Sequence, residues 1–144
     1  MMITSFQGTF AFLSNFFPIP VMLDGRTYPT VEHGFQAAKT EREEEREAIR
    51  WASTPGRAKR LGRKVALRPD WDAIKVDVML DLLRQKFSDP VLHQRLLATG
   101  DAPLIEGNTW GDCFWGCVLE KGKWVGENTL GRLLMQVRGE LKAR

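Results

Sequence analysis

A segment of ten residues, 30–39, carries two stripes at the spacing of an α-helix, and it constrains the fold more than any other part of the chain. At positions i, i+4 and i+7 lie the apolar residues Val31, Phe35 and Ala38. One residue later, the same spacing is repeated by Glu32, Gln36 and Lys39. Thr30 supplies an N-cap directly after Pro29. The sequence therefore predicts a helix to about Lys39, with an apolar face for a core and a polar face beside it.

Cap residues and apolar periodicity predict five further helices along the chain. Residues 41–50 carry five Glu and three Arg, which is typical of a solvated helix. The other helix starts are marked by Thr54 with Pro55, Asp70, Asp89 with Pro90, and Asn128. Along the Asp70 helix, the predicted buried stripe consists of Trp71, Ile74, Val78 and Leu82. Extended segments are expected before residue 29, with a hairpin at Asp24-Gly25, and from about Leu104 to Trp124.

Length and composition agree with one globular domain. With 144 residues, of which 43% are hydrophobic and 27% charged, the chain can bury a core without metal or disulfide support. We therefore predict a single compact domain, residues 1–144, of helix-rich α+β class with about five to seven helices and short extended segments. The sequence has no run of 18 apolar residues and no secretory signal, so we expect a cytoplasmic protein that does not act at a membrane.

The cysteines do not indicate a metal site. Cys113 and Cys117 lie four residues apart, while His33 and His93 are distant in the sequence. Zinc would need two further ligands beside the cysteines. We therefore expect reduced thiols, no metal and no organic cofactor.

Charge is unevenly distributed in the middle of the chain. The net charge is only +3, but an acidic segment, Glu41–Glu47, is followed by an acid-free segment, Ala48–Pro69. The second segment carries seven cations, namely Arg50, Arg57, Lys59, Arg60, Arg63, Lys64 and Arg68. Such a run is normally one face of a solvated helix, and it also suits a ligand that bears phosphate.

Tryptophan and glycine gather around one acid in the last third of the chain. Asp112 lies between Trp110 and Trp115, within the segment Asn108–Gly116. Glycine loses more backbone entropy on folding than other residues, and exposed tryptophan lowers solubility, so the needs of folding alone explain this loop poorly. A stacking pocket with a carboxylate at its floor explains it better. Polar residues also interrupt the apolar run Phe12–Phe16.

The order of these motifs resembles the NADAR (YbiA-like) family from Phe6 to about Arg138. The matching motifs are Phe12-Leu13-Ser14-Asn15-Phe16, Tyr28-Pro29-Thr30-Val31-Glu32-His33 with Gln36 and Lys39, Lys59-Arg60-Leu61-Gly62-Arg63, Asp70-Trp71, Trp110-Gly111-Asp112 with Trp115-Gly116, Gly126, Asn128, Leu130-Gly131, and Leu133-Leu134-Met135 with Val137-Arg138. Each motif alone is weak, whereas their collinear order over nearly the whole chain is specific. The sequence departs from commoner members at Gly34, Cys113 and Cys117, which bears on the substrate more than on the reaction.

The resemblance implies a compact, helix-rich YbiA-like fold and an enzyme that hydrolyses N-glycosidic bonds. Family substrates include phosphoribosylamino-pyrimidine intermediates of riboflavin synthesis. They also include ADP-ribose attached to guanine in DNA, whose removal reverses ADP-ribosylation.

Carboxylates suit that reaction because cleavage of a ribosyl C–N bond builds positive charge on the sugar. Glu32 is the first candidate for the carboxylate beside the anomeric carbon. Asp112 is the candidate for a second carboxylate that assists the water or the leaving base. Two catalytic roles stay open for Lys39: it holds a phosphate or depresses the pKa of the acid, or it attacks the opened sugar and forms an imine.

The other predicted site residues bind substrate. We expect Trp110 and Trp115 to stack on a base, whereas Trp71 suits a platform and a core equally well. Trp51 and Trp124 are assigned to the core or the surface. Asn128 suits either a ribose hydroxyl or a plain helix cap. The predicted binding set is Ser14, Asn15, His33, Gln36, Lys59, Arg60, Arg63, Trp71, Trp110, Trp115 and Asn128.

Three functions follow from these residues. The leading one is an N-glycosidase that acts on a ribosyl or ADP-ribosyl N-glycoside, whether a small nucleotide or ADP-ribosylated DNA. The alternative is a non-catalytic module that binds NAD or ADP-ribose with the same tryptophans and cations. A plain nucleic-acid-binding protein ranks last, because no common nucleic-acid-binding fold is indicated.

Overall fold

The computed structural model describes residues 1–144, and the chain divides into two compact units. One unit is Asn15–Lys86, and the other joins Met1–Ser14 to Phe87–Arg144. In chain order the elements are a 3₁₀ helix Gly8–Leu13, β1 Val21–Leu23, β2 Arg26–Tyr28, α1 Val31–Ala38, α2 Glu43–Arg50, α3 Pro55–Gly62, α4 Trp71–Lys86, α5 Pro90–Ala98, β3 Val118–Glu120, β4 Lys123–Val125 and α6 Thr129–Lys142. These elements confirm the predicted helix-rich α+β class. A single domain over residues 1–144 stays a prediction.

The unit Asn15–Lys86 is built around α1. This helix packs against α2, α3, α4 and β1, and all eight of its residues are buried. Thr30 caps it as predicted, because its side-chain oxygen accepts a hydrogen bond from the backbone N–H of His33. Gly34 allows two neighbours to approach, since a Cβ there would lie 3.3 Å from Val21 and 3.4 Å from Leu82. The polar face of α1 is therefore enclosed rather than solvated.

The hairpin ahead of α1 is also confirmed. β1 and β2 pair in antiparallel register, with Val21 opposite Tyr28. Asp24 and Gly25 form the turn with φ values of 48° and 82°. Both values lie in the left-handed region that asparagine, aspartate and glycine tolerate, which explains the Asp-Gly pair.

The buried stripe of α4 differs from the predicted one. Trp71 and Leu82 are buried as expected, but Ile74 and Val78 are only half-buried. The other buried residues of α4 are Met79, Leu83 and Lys86. The helix packs against both α1 and β1, so its buried face is broader than a single periodic stripe.

In the other unit, α5 packs against α6, and the chain from Leu104 to Cys117 forms turns and isolated bridges. Asn128 precedes α6 as predicted, but the prediction that it caps this helix is wrong. Its backbone is left-handed, and its side chain makes no cap bond to α6. The side-chain amide instead donates to the Leu104 carbonyl at 2.9 Å and accepts from the Glu106 N–H at 3.0 Å. Asn128 therefore ties the start of α6 to the preceding loop.

None of the helices has the length and apolar character needed to cross a membrane.

Candidate active site

The polar stripe of α1 forms a buried acid–amide pair. Glu32 is 8% exposed and Gln36 is 4% exposed. The Gln36 side-chain amide donates a hydrogen bond to Glu32 Oε2 at 2.7 Å. The i, i+4 spacing read from the sequence is therefore realised as a direct contact that fixes the orientation of the carboxylate. The start of the helix is held as well, since the Glu32 N–H donates to the Asn15 carbonyl at 3.0 Å.

Gly62 on α3 makes room for Gln36. A Cβ at position 62 would fall inside contact distance of Gln36 Oε1 and 2.7 Å from Gln36 Cδ. Gln36 Oε1 is buried and has no hydrogen-bond partner in the protein. A buried acceptor without a partner is costly, so the hydrogen bond to Glu32 and the space left by Gly62 must offset that cost. Gln36 thus orients Glu32 through the nitrogen of its amide, while the oxygen of the amide packs against α3.

Lys39 is the last residue of the polar stripe, and its side chain is half-buried. Its Nζ lies 6.0 Å from the centroid of the Phe35 ring. Burial lowers the pKa of Lys39 below that of an ordinary lysine, and the nearby cations Arg63, Lys59 and Lys75 lower it further. The negative charge of Glu32 opposes that shift. Lys39 therefore gives up its proton more readily than an exposed lysine does.

Trp71 lies beside this group. Its ring centroid is 5.0 Å from that of Phe35, with the planes tilted by 56°. Only 6% of Trp71 is exposed. The geometry is that of a packed aromatic pair, which accounts for Trp71 as a core residue. Its contact with substrate stays a prediction.

His33 is fully engaged within the protein. Its Nε2 lies 3.0 Å from the Ala52 carbonyl, and its Nδ1 lies 2.8 Å from Thr30 Oγ1. Because a carbonyl only accepts, Nε2 carries a proton and donates it to Ala52, while Nδ1 shares a hydrogen bond with the Thr30 hydroxyl. His33 therefore fixes α1 against the chain at Ala52, and its direct contact with substrate stays a prediction.

The predicted phosphate clamp is divided between two faces of α3. Lys59 and Arg63, spaced i, i+4, lie near enough to Lys39 to lower its pKa. Arg60 instead lines a separate cavity with Arg57 and Lys64. The structure thus brings Lys59 and Arg63 to the α1 stripe and does not bring Arg60 there. A one-residue offset on a helix turns a side chain by about 100°, which explains the division.

Asp112 is held by its own loop in the other unit. Its Oδ1 accepts from the backbone N–H groups of Phe114 and Trp115 at 3.1 and 3.0 Å. The side chain of Asn108 braces the same loop through the N–H and C=O of Asp112. These bonds use one carboxylate oxygen, so the other can face a ligand.

The aromatic residues of the loop differ in exposure. Trp110 is 61% exposed, whereas Trp115 is half-buried in an edge-to-face pair with Phe114 at 5.0 Å. Trp124 packs against Gly107, where a Cβ would lie 2.7 Å from the indole. Trp110 is therefore open to solvent and Trp124 is a packed structural residue, while stacking of Trp110 and Trp115 on a base stays a prediction.

Two predicted binding residues lie where the chain passes from one unit to the next. Ser14 follows the 3₁₀ helix, and its N–H donates to the Ala11 carbonyl. Asn15 donates from its side-chain nitrogen to the sulfur of Met79 at 3.6 Å. Asn15 Oδ1 is buried and has no hydrogen-bond partner in the protein. That oxygen is a second buried acceptor in the same unit as Gln36.

Sequence reasoning missed Lys86, which is fully buried at the end of α4. Its Nζ lies 5.7 Å from the centroid of the Phe17 ring. Burial lowers the pKa of Lys86 to about 7. The available signal was its position one helical turn after the buried Leu82 and Leu83, where a lysine interrupts the apolar pattern.

No group of three or more His, Cys, Asp or Glu side chains is arranged to hold a metal ion. Cys113 and Cys117 are free thiols, and burial raises the pKa of Cys117.

Comparison with known proteins gives consistent matches over most of the chain. The NADAR domain model matches residues 4–142. The N-glycosidase YbiA of Escherichia coli (strain K12) is 44% identical over 131 residues, which cover 89% of this chain and 79% of that protein. A riboflavin biosynthesis protein of Vibrio vulnificus is 41% identical over 135 residues, covering 91% of this chain and 35% of that one. The NMR structure of Escherichia coli YbiA superposes with a TM-score of 0.82 at 41% identity, covering 99% of this chain and 86% of that chain.

Proposed function

Because the chain belongs to the NADAR domain family, we propose that it hydrolyses the N-glycosidic bond of a phosphate-bearing ribosyl substrate, with Glu32 as the catalytic carboxylate. Relatives named N-glycosidases confirm the prediction of a hydrolase that acts on N-glycosyl bonds. The observation that carries the assignment of Glu32 is its buried hydrogen bond to Gln36. A carboxylate in that setting is oriented and largely shielded from water.

Glu32 acts on the developing charge of the sugar. As the C–N bond breaks, its electron pair leaves with the base and positive charge grows at the anomeric carbon and ring oxygen. A fixed carboxylate stabilises that charge more strongly in a water-poor site than in bulk solvent. Water then adds its oxygen to the anomeric carbon, and its proton goes to the base through a carboxylate. The products are the free base and the ribosyl sugar.

Asp112 is proposed as the second carboxylate of the reaction. Its loop holds one oxygen in place with two backbone N–H groups, which leaves the other to accept the proton of the water or return it to the base. Exposed Trp110 is proposed to stack on that base.

Lys39 is proposed to bind the phosphate together with Lys59 and Arg63. Three cations close to one another repel, and an anion between them relieves the repulsion. A second role is favoured by one specific observation, the lowered pKa of a half-buried amine. In that role the sugar ring opens, which leaves the anomeric carbon doubly bonded to the base nitrogen, and the neutral amine of Lys39 adds to that carbon. The base then leaves with its nitrogen and takes up a proton, and water hydrolyses the resulting lysine imine to release the sugar. Borohydride trapping tests whether the imine forms. If no adduct appears with substrate, or if the adduct still appears in Lys39→Ala, the imine is excluded.

We propose two candidate substrates for this activity. A phosphoribosylamino-pyrimidine needs one phosphate clamp, and a relative is named a riboflavin biosynthesis protein. ADP-ribosyl-guanine in DNA needs a longer basic surface, which the acid-free segment Ala48–Pro69 favours. Turnover measured across salt concentrations separates them, because only the polymer gives a steep loss with salt.

The proposed activity is tested by mass spectrometry of the base released from a panel of ribosyl N-glycosides. Wild-type protein is expected to release base, and Glu32→Gln is expected to release none while it stays folded. Glu44→Gln, at an exposed position on α2, is the matched control and should behave as wild type. Full release by Glu32→Gln would falsify the assignment. Binding of ADP-ribose that Glu32→Gln leaves unaltered, with no hydrolysis of any substrate, would favour the non-catalytic module.

A further inference from the structure

A cavity of about 460 Å³ lies between the end of α2 and the outer face of α3. It lies within the unit Asn15–Lys86, and none of the α1 polar stripe lines it. Its volume is in the range of small-molecule sites. The residues that give it chemical character are Trp51, Ser53, Arg57, Arg60 and Lys64.

The cavity is electropositive. Arg57, Arg60 and Lys64 are spaced i, i+3 and i+7, so they share one face of α3 and its C-terminal extension. None of these three exposed cations forms an ion pair. No acidic side chain lines the cavity. Three cations that converge without counter-charges form a site for an anion, and arginine suits phosphate in particular.

Trp51 supplies a flat aromatic wall. It follows α2, is 74% exposed, and is the most exposed of the tryptophans. Its orientation is fixed, because its indole N–H donates to Glu47 Oε2 at 3.0 Å and the Arg50 guanidinium lies 5.1 Å from the ring centroid. An exposed tryptophan that is held in place is poorly explained by packing.

The one acid beside Trp51 is already neutralised. Glu47 forms ion pairs with Arg26 and, at 3.5 Å, with Arg50. It therefore fixes the indole without repelling an anion bound on the α3 side of the cavity.

We propose that this cavity binds a nucleoside phosphate, with the base stacked on Trp51 and the phosphate held by Arg57, Arg60 and Lys64. The site is separate from the proposed catalytic stripe, and its ligand binds whether or not Glu32 is catalytic. A free nucleotide and one unit of a single-stranded nucleic acid present the same chemistry, an aromatic base joined to a phosphate.

Binding is measured by fluorescence anisotropy with fluorescein-labelled AMP and, separately, with a labelled oligothymidylate at low and moderate salt. Trp51→Ala is expected to weaken binding about tenfold, and Trp51→Phe to restore part of it. The pair Arg57→Ala with Lys64→Ala is expected to weaken it at least as much and to reduce its salt dependence. Leu119→Ala and Lys123→Ala, exposed on the β3–β4 hairpin of the other unit, serve as matched controls.

The two probes identify the source of the ligand. Binding of AMP with little salt dependence assigns the cavity to a free nucleotide, whereas tight, salt-dependent binding of the oligonucleotide alone assigns it to a strand. Binding of neither probe at millimolar concentration, or binding that the Trp51 and cation variants leave unchanged, overturns the proposal. Glu32→Gln is expected to bind both probes as wild type does. Release of base by the same variant is measured separately, so that a failure of the catalytic assignment is distinguished from a failure of this proposal.

Discussion

The α1 stripe and the Asn108–Gly116 loop carry the two proposed carboxylates, and they hold them in opposite ways. Glu32 is buried on a helix and is oriented by another side chain, Gln36. Asp112 is half-buried in a loop and is oriented by backbone N–H groups. A helix that is enclosed by its neighbours holds its side chains at fixed distances from one another, whereas a loop with exposed aromatic residues is accessible to a ligand. If both carboxylates act as proposed, we expect a disturbance of α1 to lower kcat, and removal of the exposed tryptophan of the loop to raise KM.

Among substitutions that leave both carboxylates in place, the largest effect is expected on the α1 side. Gly62→Ala places a methyl group where Gln36 lies, so Gln36 must move and the hydrogen bond to Glu32 is lost. We expect kcat to fall about a hundredfold, and the free energy of unfolding to fall by about 1–3 kcal/mol. Gly139→Ala on α6 is the matched control, because no atom lies within 4 Å of a Cβ there. A Gly62→Ala enzyme with wild-type kcat contradicts the positioning role of Gln36.

The loop side predicts a different kinetic signature. Trp110→Ala removes an exposed indole that is proposed to stack on the base. We expect KM to rise about tenfold with a much smaller change in kcat. Steady-state kinetics measure both, and Leu119→Ala, another exposed apolar residue of the same unit, is the control. A fall in kcat at constant KM contradicts the assignment of recognition to this loop.

The smallest expected effect is the pH dependence that Lys39 adds to the α1 side. Since burial holds the pKa of Lys39 below that of an ordinary lysine, Lys39 loses its charge at a lower pH than an ordinary exposed lysine would. If the charge binds phosphate, KM rises over that range, and by a factor of several at most. Lys39→Arg stays protonated and should keep KM constant with pH. Loss of kcat in Lys39→Arg at every pH instead assigns the imine role to this amine.

Local signals predicted much of the fold. The caps at Thr30, Thr54 and Asp89 are where the sequence indicated them, because each is set by side-chain bonds to backbone N–H groups two or three residues ahead. Asn128 has the same local signal, but Leu104 and Glu106, more than twenty residues earlier, use its amide. A cap residue that a distant loop engages cannot be recognised from its neighbours in sequence.

In the candidate site, too, the sequence predicts local contacts better than tertiary ones. The i, i+4 contact of Glu32 with Gln36 followed from helical spacing. The division of the cations between two faces of α3 depended on which neighbour each face meets, and the exposure of Trp51 depended on how α2 ends. Both are tertiary facts. Lys86 also differs from the other lysines in being buried, and the sequence around it does not indicate which residues bury it.

The central claim is that the buried carboxylate of α1 carries the chemical step, and single-turnover release of base by Glu32→Gln tests it most directly. Enzyme in excess over substrate separates the chemical step from binding and product release. The account predicts a rate constant at least about a hundredfold below wild type, with substrate affinity nearly unchanged. A rate constant within a factor of a few of wild type would contradict the account and move the chemistry to another residue.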